Sequence, residues 1–241
     1  MADSRADSRV VFALDLPSLD RARAAALAVR EAVGMIKVGL ELFVEAGPAA
    51  VSIGREAGLP VFLDLKLCDI PETVDRAVAR AAALGARMLT VHASGGATML
   101  RRAAERARAE GTGLEIVAVT VLTSLDGADL ADLGMPADVG AQVERLGRLA
   151  WDQGVRAFVC SPREASRLRA ALGPEATIVT PGVRAAAQSG SDDQKRTMSA
   201  GEAIAAGASW VVVGRPIRDA ADPLAAARAI AREVDAARVR G

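Results

Sequence analysis

The segment VFLDLKLCDIPETV, residues 61–74, sets Asp64, Lys66 and Asp69 into a largely apolar run. Asp64 and Lys66 stand two apart, so on an extended strand they share one face while Leu63, Leu65 and Leu67 take the other. A carboxylate beside an ammonium holds that ammonium charged and aimed, which is the equipment for donating a proton. The same pair also serves as a buried ion pair plugging a barrel mouth, an arrangement that need not stabilise a fold. The choice of cation separates the two readings. Of thirty basic residues only Lys37, Lys66 and Lys195 are lysines, so Arg serves wherever a general positive charge suffices. An ammonium is compact and can release its proton, whereas guanidinium keeps its own. Lys37, in MIKVGL, and Lys66 are therefore candidates for chemistry, and Lys195, in the polar SDDQKR, for a solvated charge. With the carboxylates ionised and both lysines charged, the array suits proton donation and not a Schiff base.

A second set of residues points to an anion. TPGVR and VVVGRPI carry Arg184 and Arg215. Arg forks two donors onto an anion, and Gly214 lets backbone N–H groups approach one closely. Between them AAAQSGSDDQKRT, residues 185–197, is a long polar loop of small residues suited to folding over a ligand. His92 is the sole histidine, so no multi-histidine zinc site can be built, and a hydrogen-bonding role fits it better. Cys68 and Cys160 lack metal-ligand spacing and read as reduced thiols.

Eight apolar, β-branched-rich runs must position these residues: VVFALDL, MIKVGL, PVFLDLKL, MLTVHA, EIVAVTVLT, AFVCS, TIVTPGV and WVVVGR. Residues 19–33, 74–84, 98–109, 139–153 and 164–172 between them have helical periodicity. The alternation predicts a single-domain (β/α)8 TIM barrel over residues 10–241 behind a polar tail, residues 1–9. A doubly wound open sheet shares the alternation but usually carries a Gly-rich first βα turn, which ALDLPSLD lacks. In a barrel the chemistry collects where strands end. Asp15 is expected to close the first strand, Lys37 to lie in the second, and Asp64 and Lys66 to close the third. His92, Thr123, Arg184 and Arg215 are expected to close the fourth, fifth, seventh and eighth, the last two where barrels most often bind phosphate.

The composition narrows the partner. Formal net charge is zero and no basic run stands out, which argues against nucleic acid and against a polybasic membrane patch. Aromatic residues make up 2% of the chain, with no Tyr, too few for base-stacking platforms. No apolar run is long enough to span a bilayer, and MADSRADSRV lacks the apolar core of a secretory signal, so a cytoplasmic location is expected.

In order, ALD, KVGLELF, DLKLCDIPETV, TVHASGG, VTVLTS and TPGVR…DDQKR…VVVGRPI resemble the pattern of the orotidine 5′-phosphate decarboxylases, the carboxy-lyases that form UMP in pyrimidine synthesis. The likeness runs nearly end to end. It implies that Lys66 delivers a proton to ring carbon C6 as carbon dioxide leaves, within a charged array of Lys37, Asp64, Lys66 and Asp69. It implies a homodimer in which Asp69, Ile70 and Thr73 complete the partner's site. Asp15 and Lys37 would hold ribose hydroxyls, Thr123 would contact the pyrimidine, and Arg184, Gln194, Gly214 and Arg215 would bind or cover the phosphate. No cofactor or metal is implied. Cys68 differs from what many relatives carry, at a position without assigned chemistry. A metal-dependent keto-sugar-phosphate decarboxylase sharing the D-x-K-x-x-D element would need a metal-binding carboxylate where Lys37 stands. A catalytically dead nucleotide-binding barrel is the other rival, and the intact Lys66 with both aspartates speaks against it.

Overall fold

The computed structural model describes residues 8–184 and 198–238; Gln194, Lys195 and the rest of the expected covering loop lie outside the described residues. Eight parallel strands close into a barrel: β1 Val10–Ala13, β2 Met35–Gly39, β3 Val61–Leu67, β4 Met88–His92, β5 Glu115–Val119, β6 Ala157–Val159, β7 Thr177–Thr180 and β10 Trp210–Val213, which pairs back onto β1. Two short strands, β8 Val183–Arg184 and β9 Met198–Ser199, form a separate parallel ribbon. The helices are α1 Leu19–Val29, α2 Leu40–Ala46, α3 Pro48–Ala57, α4 Pro71–Ala83, α5 Ala97–Ala109, α6 Gly127–Asp132, α7 Val139–Asp152, α8 Pro162–Leu172, α9 Ala200–Ala205, α10 Arg215–Arg218 and α11 Pro223–Arg238. Among the described residues no helix is long and apolar enough to cross a membrane.

Strands buried on both faces explain the unbroken apolar runs. Phe12, Ile36, Val38, Leu63 and Leu89 pack outward with the helices in the larger core, and Leu65 and Leu67 pack against it. The alternate residues Val11, Ala13, Met35, Phe62, Met88, Val117, Ala157, Val179 and Val212 fill the barrel interior. The same inward parity carries on from Ala13, Met35, Phe62 and Met88 to Asp15, Lys37, Asp64 and Thr90, so an apolar plug is capped by polar side chains at the strand ends.

Several bounds differ from the sequence reading, for a common reason. The apolar runs report burial, which outlasts the strand ladder. β1 ends at Ala13 and Asp15 lies two residues beyond it, although Leu14 and Leu16 remain buried. β5 ends at Val119, so Thr123 sits in the following turn and not on the strand. Arg184 belongs to β8 and does not close β7, while Arg215 opens α10 and does not close β10. α4 begins at Pro71, where proline's fixed φ suits the first helical turn, and not at Val74. Ser8 and Arg9, assigned to the tail, belong to the barrel base. The buried Ser8 hydroxyl donates to the Ala32 carbonyl at 3.1 Å, and the Arg9 guanidinium lies 5.3 Å from the Trp210 ring centroid.

Candidate active site

The geometry of the site begins with an irregularity in β3. Phe62 pairs with Met88 and Leu63 with Leu89, but the next pair is Leu67 with Val91, so β3 carries extra residues over this stretch. Such a bulge re-aims side chains and is common beside active sites. Lys66 absorbs it with φ 51°, the only positive φ of a non-glycine residue among those described. For a residue with a Cβ that conformation costs about 1–2 kcal/mol, so neighbours must hold it. One does: the Lys66 N–H donates to the Thr90 hydroxyl on β4 at 2.8 Å.

The charged side chains then form a row of alternating sign. Lys66 Nζ donates to both carboxylate oxygens of Asp64 at 2.8 Å. Lys37 Nζ stands 3.7 Å from Asp64 Oδ2 and 3.0 Å from Asp15 Oδ1. Unit charges about 4 Å apart interact by about 4 kcal/mol at an effective dielectric of 20, so the alternation decides whether such a cluster holds together. The Lys37 and Asp64 side chains are only 11% and 14% exposed. Burial is the largest influence on the Asp64 carboxyl and pushes it up. The charges of Lys37 and Lys66, with hydrogen bonds from Lys66 and Thr90, outweigh burial and hold Asp64 below the ordinary carboxylate value. His92 is half-buried; desolvation first, then the Lys66 charge, lower its pKa, against a smaller opposing pull from Asp64. Its imidazole is therefore neutral at pH 7.

Glycines leave room for the row. A Cβ on Gly39 would lie 2.8 Å from Lys37 Nζ and 3.2 Å from Asp15 Oδ1, so the ammonium would have to shift and the carboxylate to give by a few tenths of an ångström. A Cβ on Gly214 would lie 3.6 Å from Asp15 Oδ2, which places the end of β10 directly beside the row. Arg218, at the end of α10, ties the two together. Its Nη1 donates to the Asp15 carbonyl at 3.0 Å, while Nε and Nη2 bind both Asp219 carboxylate oxygens at 2.6 and 2.9 Å. Arg215 is exposed at the first position of α10, and β8 with Arg184 packs beside β10.

Of the residues singled out from sequence, Asp15, Lys37, Asp64 and Lys66 thus come together with Gly214 beside them. Thr123 is half-buried in the loop after β5. Asp69, Ile70 and Thr73 are exposed on this chain. The Asp69 carboxylate accepts its neighbour Ile70's N–H at 2.6 Å, and Ile70 is 67% exposed. Two participants, Thr90 and Arg218, were absent from the sequence reading. A signal for Thr90 existed: in MLTVH it shares the inward face with Met88 and His92. Arg218 carried none, being one arginine of many.

The model of the orotidine 5′-phosphate decarboxylase / HUMPS family matches residues 8–230 of the chain. A relative from Anaeromyxobacter sp. (strain K), named orotidine 5′-phosphate decarboxylase, is 52% identical over 92% of this chain and 96% of its own length. Another of that name, from Moorella thermoacetica, is 47% identical over 98% of this chain and 95% of its own. The crystal structure of orotidine 5′-phosphate decarboxylase from Lactobacillus acidophilus matches with TM-score 0.81 at 33% identity, covering 95% of this chain and 100% of that one.

Proposed function

From the premise that the chain belongs to the orotidine 5′-phosphate decarboxylase / HUMPS family, we propose that it converts orotidine 5′-phosphate to UMP and carbon dioxide in de novo pyrimidine biosynthesis, without cofactor or metal. The observation that carries the reading is the row Asp15, Lys37, Asp64, Lys66 at the mouth of the barrel. As the bond from C6 to the carboxylate breaks, its electron pair stays on C6 and carbon dioxide departs. The Lys66 ammonium gives a proton to C6, and the amine left behind regains one from water. Asp64, bound to that ammonium through both oxygens, keeps it aimed until then.

Asp15 and Lys37 hold ribose hydroxyls, and Thr123 contacts the pyrimidine. Gly214 and Arg215, with Arg184 and Gln194, grip or cover the phosphate. That grip lies away from the reacting carbon, so its binding energy can be spent on closing the site and excluding water. Asp69, Ile70 and Thr73 act in the site of a second copy, a reading supported by the exposure of all three on this chain. We take the dimer to work in the cytoplasm, with no nucleic-acid or membrane partner. The rival keto-sugar-phosphate chemistry would want a divalent cation between two carboxylates. Here the Lys37 ammonium holds that seat between Asp15 and Asp64, which favours the metal-free reading.

The test follows orotidine 5′-phosphate by its ultraviolet absorbance in the presence of a chelator. Wild-type protein is expected to turn over, and Lys66→Ala to lose at least about a thousandfold in kcat, the upper range for a positioned acid that also stabilises charge. Equal rates for the two would remove Lys66 from the reaction, and binding of UMP without release of carbon dioxide by wild-type would favour an inactive barrel.

A further inference from the structure

We infer that Thr90 is a positioning residue for the proton donor, acting through its hydroxyl on both Lys66 and Asp64; the inference rests on the decarboxylase reading. Thr90 is fully buried on β4, on the inward face between Met88 and His92. Its Oγ1 accepts the Lys66 N–H at 2.8 Å and its O–H donates to Asp64 Oδ1 at 3.0 Å. A hydroxyl has one proton. With its acceptor side held by the Lys66 amide, that proton points at Asp64 Oδ1, the same oxygen that Lys66 Nζ contacts. One buried side chain thus closes a ring, running from the Lys66 amide through Thr90 and Asp64 to the Lys66 ammonium.

The bulge explains why a side chain is needed there. Between the pairs Leu63 with Leu89 and Leu67 with Val91, β3 is longer than β4, and Lys66 takes φ 51° to fit. The Lys66 amide is met by the Thr90 side chain within this stretch. An aliphatic side chain at position 90 would leave a part-buried N–H without its acceptor and remove a contact that holds Lys66 in the left-handed region, so that its φ can relax to negative values. That rotation swings the Cβ and carries the ammonium away from Asp64 and from the reacting carbon. Loss of the Thr90 donor would at the same time leave Asp64 Oδ1 held by the Lys66 ammonium alone. Both errors fall on the chemical step, whereas the ribose and phosphate contacts made by Asp15, Gly214 and Arg215 stay in place.

Steady-state kinetics on wild-type, Thr90→Val and Thr90→Ser test this. Thr90→Val keeps the shape and loses the hydroxyl; kcat should fall about 10- to 100-fold, the range for a small misplacement of a reacting group, with KM and UMP affinity within about threefold of wild-type. Thr90→Ser should recover most of kcat. An unchanged kcat in Thr90→Val overturns the inference, as does an equal loss in Thr90→Ser, and a loss seen only in KM moves Thr90 to substrate binding and overturns it too. Should Thr90→Val not fold, Thr90→Ser and Thr90→Ala differ by the hydroxyl alone and carry the same comparison. If neither apolar variant folds while Thr90→Ser does, the hydroxyl serves stability and the inference falls. Wild-type protein in the same assay keeps the two readings apart: no turnover there defeats the decarboxylase reading, whereas wild-type turnover matched by Thr90→Val defeats only the role of Thr90.

Discussion

Asp64 in the row and His92 near it are each set by opposing forces, and His92 shows how these become measurable. Burial and the nearby Lys66 ammonium lower its pKa from the ordinary 6.5. The unfolded chain therefore takes up a proton near 6.5 while the folded chain resists until lower pH. Its contribution to stability is full above about pH 6.5, is lost as pH falls toward the folded value, and levels off below it. Within that window the slope approaches about 1.4 kcal/mol per pH unit for one proton. Denaturant unfolding of wild-type and His92→Asn between about pH 5 and 8 should show a flatter dependence in the variant, since Asn cannot charge; parallel curves would mean that His92 titrates as a free imidazole. Asp64 runs in the same direction but far lower, because its two ammonium neighbours outweigh burial. Lys37, Asp64 and Lys66 were legible in the sequence because charge on a buried strand is rare and strand parity assigns a face. For Thr90 parity assigned the inward face but not the role, because threonine is an ordinary strand residue and only the register of β3 against β4 reveals what its hydroxyl meets.

At the scale of elements, the alternation of strand and helix was legible and the ends of elements were not. Apolar runs such as VVFALDL continue past the ladder because Leu14 and Leu16 are still buried after β1 ends. Polar residues read as strand ends, Asp15 and Thr123, consequently sit on loops, and what fixes a loop is tertiary contact. For Asp15 that contact is Arg218, which joins the loop after β1 to α10 through one carbonyl. Arg218→Ala is expected to loosen Asp15 and the end of β10 together. It should raise KM for orotidine 5′-phosphate about fivefold, because a charge-assisted hydrogen bond at a partly exposed position is worth about 1 kcal/mol. The change in kcat should be smaller. Steady-state kinetics alongside Arg228→Ala, which removes a surface pair with Glu31 instead, check it. Equal KM values for the two variants would show that the Asp15 loop holds its place without α10.

At the scale of the whole molecule, the barrel follows from eight buried strands that have no free edge once β10 meets β1, and this closure was legible from the count of apolar runs. A second chain leaves a weaker trace in sequence, since a pattern such as CDIPET does not say whose site it serves. The fold makes the question concrete: Lys66 points into the mouth beside Asp64, whereas Asp69, three residues later, is exposed and bonded only to the N–H of an exposed Ile70 among the hydrogen bonds described. If Asp69 works in a partner's site, Lys66→Ala and Asp69→Ala damage each site through different chains. Each variant alone then has two damaged sites per dimer. A mixed dimer instead has one site with both lesions and one site with neither. Random exchange between equal amounts makes half the dimers mixed, so half of the sites in half of the dimers are intact, and about a quarter of wild-type activity should return on mixing two nearly inactive proteins. Refolding the variants together and assaying orotidine 5′-phosphate turnover against the separately refolded proteins measures this. Recovery at that level requires a site built from two chains, while a mixture no more active than its components means that Lys66 and Asp69 serve the same chain, or that copies of the barrel do not pair.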